Sequence, residues 1–170
     1  SSDLTRPILE AGAKPQIAVY TDGDVDNARR LLFDSGLVGT GMTWLLLAGL
    51  PGCSPMFTAE HMVEGLMRQM RLIKHVDPDA VIVVCAGGRA SLYLATVAIT
   101  LGLHVRVGME DTVWKWPHRD DRIEANVDAY RTIRRIAEDL GREEMSSAEY
   151  RRLCGIEETS QSSAPARATA

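Results

Sequence analysis

The run VIVVCAGGRA, residues 81–90, passes from an unbroken apolar strand pattern through two glycines into the start of a helix. A strand that is apolar at every position is typical of a parallel sheet in which both faces are covered. Residues 45–47, which are all leucine, show the same pattern. The sequence therefore predicts buried parallel strands, each followed by a helix.

The rest of the chain repeats this alternation. The four apolar runs are residues 16–21, 42–48, 80–86 and 104–109, and the helical patterns between and after them are residues 24–34, 58–76, 90–100 and 120–140. Alternating strands and helices predict an α/β protein with a parallel sheet. Two architectures remain open: an open doubly wound sheet, or part of a (β/α)8 barrel, which needs about 250 residues when complete.

The predicted β/α units occupy residues 14–156, after an N-terminal extension at residues 1–13. Asp22 or Asp24 is a candidate cap for the first helix, and Thr58 for the second. Ser146 and Glu149 form a capping box that predicts a last short helix. Residues 157–170 are dominated by small and polar side chains, so we expect a disordered tail there.

The composition limits the classes of partner. Of the 170 residues, 45% are apolar and 25% charged, and the formal net charge of −4 offers no basic face for nucleic acid. No apolar stretch approaches the roughly 20 residues of a membrane span, and no signal-peptide pattern is visible. The three cysteines lack metal-type spacing and indicate reduced thiols. We expect a cytoplasmic protein without nucleic-acid or membrane partners.

The run HVRVGMED, residues 104–111, concentrates the charged candidate residues. Strand alternation places Arg106 and Glu110 on the inner side, with Asp111 just past the carboxyl end of the strand, where barrel enzymes keep catalytic groups. Two interpretations remain open. Arg106 and Glu110 form a structural ion pair, or the adjacent carboxylates of Glu110 and Asp111 serve as a metal ligand beside a general base.

The turn Gly87-Gly88-Arg89 leads directly from the third strand into a helix. Glycines let a backbone approach a ligand, and the start of a helix offers N–H groups to an anion. In barrels, the loops after the last strands often hold phosphate. A cofactor-binding turn and a plain tight turn both fit this pattern.

The run HVRVGMED resembles the signature strand of the β-keto acid cleavage enzymes, the family of 3-keto-5-aminohexanoate cleavage enzyme. Lys14-Pro15 before the first strand, Ala86-Gly87-Gly88-Arg89 after the third and the segment IAEDLGRE at residues 136–143 are also similar to that family. The resemblance runs from Lys14 to Ile156. It implies the C-terminal half, four β/α units, of a (β/α)8 TIM barrel.

The same resemblance implies an activity. The family is zinc-dependent and converts a β-keto acid and acetyl-CoA into acetoacetate and a new CoA thioester. The resemblance implies that Glu110 is a zinc ligand, that Asp111 is the catalytic acid and base, and that Arg106 assists the reacting carbonyl. The expected ligands are therefore Zn²⁺, acetyl-CoA and a small β-keto acid.

The chain departs from the family pattern in two places. Relatives carry further zinc ligands in a His-x-His pair, which none of the four histidines here forms, and catalytic zinc needs about three protein ligands. Gln16 stands where relatives often carry glutamate. We therefore expect a companion chain with the N-terminal half to supply the histidines, and a homo-oligomer. Another metal-dependent barrel lyase or aldolase, or a non-catalytic scaffold subunit, remain alternatives.

Overall fold

The computed structural model describes residues 2–53 and 58–156, and the predicted tail at residues 157–170 lies outside them. Within that part, four strands form one parallel sheet: β1 (Gln16–Val19), β2 (Thr43–Ala48), β3 (Val81–Ala86) and β4 (His104–Val105). Each strand lies beside its neighbour in sequence, in the order β1-β2-β3-β4. A doubly wound sheet reverses its strand order at a switch point, whereas a barrel does not. The predicted fold class, four β/α units of a (β/α)8 barrel, is confirmed.

Helices follow the strands as the periodicity predicts. They are α1 (Ser2–Glu10), α2 (Asp22–Ala28), α3 (Ala59–Val76), α4 (Ser91–Thr100), α5 (Asn126–Asp139) and α6 (Ser147–Leu153). A π-helical turn at Arg29–Phe33 continues α2, and a 3-10 turn at Gly88–Ala90 precedes α4. The helix α1 lies in the N-terminal extension, for which the sequence predicted no element. No helix in the described part of the chain combines the length and apolarity needed to cross a bilayer.

Caps explain where these helices begin. The Thr58 hydroxyl accepts a hydrogen bond from the His61 N–H at 3.2 Å, as predicted. Ser146 and Glu149 form the predicted capping box at α6. The prediction for α2 is wrong, because Thr21 is the cap. Asp24 instead reaches back, and its carboxylate accepts from the N–H groups of Tyr20 and Thr21 at 2.9 and 2.8 Å.

The sheet is buried on both faces, which explains the unbroken apolar runs. One face packs against the helices through a large core that includes Trp44, Leu46 and Val84. The opposite face carries a second buried cluster, and its members are Leu45, Leu47, Val83 and Cys85. Because alternate side chains of β2 and β3 belong to different clusters, the apolar run is unbroken through β3 and, after Thr43, through β2.

The end of the sheet at β4 differs from the prediction. The strand was expected over residues 104–109, but its ladder ends after the Arg106 N–H donates to the Val84 carbonyl at 2.9 Å. The chain then turns, and the N–H groups of Asp111 and Thr112 donate to the Gly108 carbonyl at 3.1 Å. The following helix begins at Asn126 and not near residue 120, because residues 112–125 form a loop with their own backbone pairing. This turn decides where the charged residues lie.

The last helix joins the two edges of the sheet at the amino ends of the strands. The Lys14 ammonium, just before β1, donates to the Cys154 carbonyl at 2.7 Å. His104 in β4 contacts the Tyr150 ring edge-on, with 5.6 Å between the ring centroids. The helix α6 is therefore attached at the end of the sheet opposite to the charged turn.

Candidate active site

Arg106 brings the two predicted carboxylates together at the carboxyl end of β4. Its Nη2 atom lies 2.8 Å from Glu110 Oε2 and 3.0 Å from Asp111 Oδ1. Arg106 and Glu110 thus form the ion pair that was one of the two interpretations of the sequence. Asp111 is bound to the same guanidinium. A single cation stands between two adjacent carboxylates that would otherwise repel each other.

The three charged groups differ in exposure. The side chain of Glu110 is 84% exposed, that of Arg106 is 38% exposed and that of Asp111 only 10%. Glu110, which was expected on the inner side with Arg106, is the most exposed of the three, because residues 108–112 form a turn and not a pleated strand. Asp111 takes the inner position. Because water screens the Asp111 carboxylate less, its interaction with Arg106 is stronger than that of the exposed Glu110 carboxylate.

Cys85, at the end of β3, belongs to the same cluster. It is 1% exposed, and its thiol is hydrogen-bonded to the Asp111 carboxylate. Burial, followed by this bond and the charge of Asp111, raises the pKa of the Cys85 thiol to about 12, so the thiol is protonated and acts as the donor. The sequence predicted only a small buried hydrophobe here. The β3–β4 register pairs Val84 with Val105, and the next pair in the same register is Cys85 and Arg106. Alternation on the two neighbouring strands could therefore have indicated that these side chains share a face.

The electrostatics of Arg106 follow from the same contacts. Burial lowers the pKa of the guanidinium, but the charges of Asp111 and Glu110 outweigh it and the pKa is raised overall. Arginine has five N–H donors, so Arg106 can bind the two carboxylates and still offer donors to an oxygen of a bound molecule. The cluster of Cys85, Arg106 and Asp111 therefore combines a thiol and a largely buried carboxylate with a permanent cation.

The turn after β3 is held by the residues around it. The N–H of Gly87 donates to the Ala48 carbonyl and that of Gly88 to the Asp111 carbonyl, both at 2.8 Å. These two N–H groups, expected to be available to an anion, are thus used within the fold. Arg89 is also engaged, through Asp120, the Arg119 carbonyl and the ring of Trp114. The turn supports Asp111 directly.

Asn126 is a further residue of the site that the sequence did not indicate. As the first residue of α5, it accepts a hydrogen bond through Oδ1 from the Met109 N–H at 2.7 Å. This bond and the turn at Gly108 fix the backbone on both sides of Glu110. No local pattern predicts a contact between residues 17 apart in sequence.

The acidic, cysteine and histidine side chains of the described residues do not match the requirements of a zinc site. Within residues 2–53 and 58–156, no group of three or more His, Cys, Asp or Glu side chains is arranged to hold a metal ion. Glu110 offers one exposed carboxylate, but catalytic zinc needs about three protein ligands. The described residues therefore do not make a zinc site by themselves, in agreement with the missing His-x-His pair.

Comparison with known proteins decides the family. The family model for beta-keto acid cleavage enzyme matches residues 2–156. The chain belongs to the β-keto acid cleavage enzyme family. Two curated relatives are 3-keto-5-aminohexanoate cleavage enzymes, one from Acetoanaerobium sticklandii and one from Fusobacterium nucleatum, and each is 27% identical to this chain. The alignments cover 91% and 88% of the chain, and 52% and 50% of the relatives. This family member thus spans about half the length of the curated relatives that it matches.

Solved structures give the same fold. The apo structure of ObcA superposes with a TM-score of 0.72 at 18% sequence identity, covering 90% of this chain and 39% of ObcA. The binary complex of ObcA with oxaloacetate gives a TM-score of 0.70, and the ternary complex with a C4-CoA adduct and oxalate gives 0.71, each at 18% identity, 90% of this chain and 40% of ObcA. The recognition of the family from residues 104–111 is confirmed.

Proposed function

We propose that this chain carries the catalytic acid–base end of a zinc-dependent β-keto acid cleavage enzyme, which converts a β-keto acid and acetyl-CoA into acetoacetate and a new acyl-CoA. One observation carries the proposal: Arg106 bridges a buried and an exposed carboxylate at the carboxyl end of β4. The solved ObcA complexes support the substrate classes, since oxaloacetate is a β-keto acid and the adduct contains CoA.

Asp111 and Arg106 divide the chemistry between them. Asp111 takes a proton from the carbon between the keto and carboxyl groups, and Arg106 stabilises the negative charge that develops on the oxygen. The carbanion forms a carbon–carbon bond to the acetyl carbonyl and expels the CoA thiolate. The thiolate then attacks the original keto carbonyl and breaks its bond to that carbon. Asp111 returns its proton to the carbon that leaves, which yields acetoacetate and acyl-CoA.

We also propose that Glu110 contributes one oxygen to a zinc ion whose other ligands lie outside this chain. Zinc, when bound, would polarise the keto oxygen. The exposure of Glu110 supports this role, since its carboxylate can reach a neighbouring polypeptide. Metal analysis of this chain alone is expected to show no stoichiometric zinc. The assembled enzyme is expected to hold one zinc ion per site, and Glu110→Gln to lose most of it.

The companion half would complete the barrel along the two edge strands. β1 and β4 each have one neighbour in the described part of the sheet. Beside β4 lies a cleft of about 470 Å³, lined by apolar residues such as Val107, Ile133 and Met145 and by charged residues between Arg134 and Glu144. A parallel strand with one free edge and a cleft beside it is suited to receive a further β/α unit. Homo-oligomerisation of the assembled enzyme remains a prediction.

We propose that the turn at Gly87, Gly88 and Arg89 lies next to the CoA phosphates. Because the first two N–H groups are already bonded, Arg89 would supply the charge, through N–H donors that its bonds to Arg119 and Asp120 leave over. CoA titration by calorimetry tests this role. Arg89→Met is expected to weaken binding of CoA, and to leave binding of a fragment without phosphates unchanged.

The activity is tested with the assembled enzyme, acetyl-CoA and a panel of β-keto acids, with acyl-CoA formation followed by mass spectrometry. Asp111→Asn is expected to lower kcat by about 10²–10⁴, the usual contribution of general acid–base catalysis. Asp139→Asn, an exposed carboxylate at the end of α5, is the matched control and should retain activity. Cleavage of the keto acid without acetyl-CoA, or full activity in Asp111→Asn, would refute the proposal.

A further inference from the structure

Arg89 makes three contacts with one segment, residues 112–125, called here the β4–α5 loop. Its Nη1 donates to the Arg119 carbonyl at 2.8 Å, and its Nη2 pairs with the Asp120 carboxylate. The guanidinium carbon lies 3.9 Å from the centroid of the Trp114 ring, within the range of a cation–π contact. One side chain from the turn after β3 thus holds both the beginning and the middle of this loop.

The two arms of the β4–α5 loop are paired with each other. Trp114 and Arg122 form an antiparallel bridge. On either side of it, the Lys115 N–H donates to the Asp121 carbonyl and the Ile123 N–H to the Val113 carbonyl, each at 2.9 Å. A contact at Trp114 therefore restrains the whole loop. The loop cannot swing open locally at one arm without breaking this pairing.

The loop begins at the catalytic carboxylate. Asp111 immediately precedes Thr112, and the Asp111 carbonyl accepts from the Gly88 N–H at 2.8 Å. Gly88 in turn precedes Arg89 in the same 3-10 turn. The turn after β3 therefore grips this segment at its root through Gly88 and farther along through Arg89.

The geometry points to Arg89 as a positioning residue that fastens the β4–α5 loop to the turn after β3 and so fixes the place of Asp111. Only its catalytic consequence rests on the proposed function; the fastening itself does not. The planar guanidinium stacks on Trp114 and at the same time donates in its own plane to Arg119 and Asp120. Lysine cannot do both, since its ammonium is a compact charge without a planar face.

The fastening is tested without substrate by limited trypsin digestion of the purified chain. The β4–α5 loop contains three trypsin sites, after Lys115, Arg119 and Arg122. Cleavage of a locally opened segment follows the population of the open form. Arg89→Met is expected to raise the initial cleavage rate at these bonds roughly 5–30-fold, as for the loss of one or two kcal/mol of local stability. Arg89→Lys should keep most of this increase.

Matched variants make the result decisive. Arg68→Met removes another exposed arginine that pairs with an aspartate, Asp22, far from the loop, and should leave cleavage unchanged. Trp114→Leu removes the ring from the other side and should accelerate cleavage. Because Arg89→Met already loses this ring contact, the acceleration in the double variant should be smaller than the product of the two single accelerations. Circular dichroism and the urea midpoint establish that each variant is folded. Unchanged cleavage in both folded single variants would overturn the inference, as would equal acceleration by Arg68→Met.

In the assembled enzyme the same variant separates positioning from substrate binding. Arg89→Met is expected to lower kcat while KM for the keto acid stays near that of the wild type, because the carboxylate is displaced and the keto-acid contacts remain. A change confined to KM for the keto acid would contradict the assignment. If the wild-type enzyme shows no activity, the proposed function fails, and the trypsin experiment still decides the role of Arg89.

Discussion

Replacing Asp77 by alanine should cost this chain a large part of its stability. Asp77 follows α3 and is fully buried. Its Oδ1 accepts from the Gly41 N–H at 2.7 Å, and its Oδ2 accepts from the Met42 N–H at 2.9 Å and from the Trp44 indole N–H at 3.0 Å. One carboxylate thus satisfies three donors where the chain enters β2.

The magnitude follows from the donors that would be left behind. Gly41 is partly exposed, so water can replace the carboxylate there, whereas Met42 and Trp44 are buried. A buried donor without a partner costs about 1–3 kcal/mol, so two of them give roughly 2–6 kcal/mol. With a slope of about 2 kcal/mol per molar urea, the centre of that range moves the midpoint down by about 2 M.

Urea unfolding, followed by far-UV circular dichroism and by tryptophan fluorescence, measures the shift. Asp79→Ala is the matched control. This carboxylate lies two residues later and is exposed, and it accepts a side-chain hydrogen bond from the Thr40 hydroxyl at 3.1 Å. Its effect should stay within about 0.5 kcal/mol. A midpoint shift below about 0.5 M in Asp77→Ala, at an unchanged slope, would refute the claim that water cannot reach Met42 and Trp44.

Three further predictions concern individual side chains. Because the pKa of the Cys85 thiol is raised to about 12, iodoacetamide at pH 8.5 should modify the half-buried Cys53 and leave Cys85 intact in peptide maps. Burial lowers the pKa of His104, so the unfolded chain binds its proton more readily. The free energy of unfolding should therefore fall as the pH drops below about 6.5. The urea midpoint should decrease less with falling pH in His104→Gln than in the wild type, and His118→Gln is the matched histidine control. Lys14→Met removes the bond to the Cys154 carbonyl and should speed hydrogen exchange in Ser147–Leu153 more than in Ala59–Val76. The same change of exchange rate in both helices would contradict the role given to Lys14.

The sequence predicted those parts of the fold that depend on interactions between residues close together in the chain. The spacing of apolar residues, helix caps and glycines determine structure within a few residues of themselves. For this reason β3, α3 and the capping box at Ser146 were predictable. The end of β4 was not, because the alternation of residues 104–109 continues after the ladder has ended. Only the Gly108 turn and the bond from Met109 to Asn126 redirect the chain, and the latter joins residues that no local pattern connects.

The same distinction applies to the site. Residue types predicted that Arg106, Glu110 and Asp111 act together, and their contacts confirm that they meet. Which carboxylate is buried depends on the turn, and the involvement of Cys85 depends on the register between β3 and β4. The role of the turn at Gly88 was open from the sequence, since glycine flexibility serves a ligand and a backbone contact equally well. The structure uses Gly88 for the backbone contact with Asp111.

Glu110 and Asp111 show how one turn gives neighbouring, chemically similar residues different tasks. In a continued strand they would point to opposite faces and could not share one guanidinium. The turn brings both to Arg106 but leaves Glu110 in solvent and Asp111 at 10% exposure. Because charge interactions are screened at the surface and stronger where water is excluded, Arg106 attracts the Asp111 carboxylate more strongly than the Glu110 carboxylate. This difference supports the proposed division of tasks, in which Asp111 is the acid–base group and Glu110 the ligand of a cation held by another polypeptide.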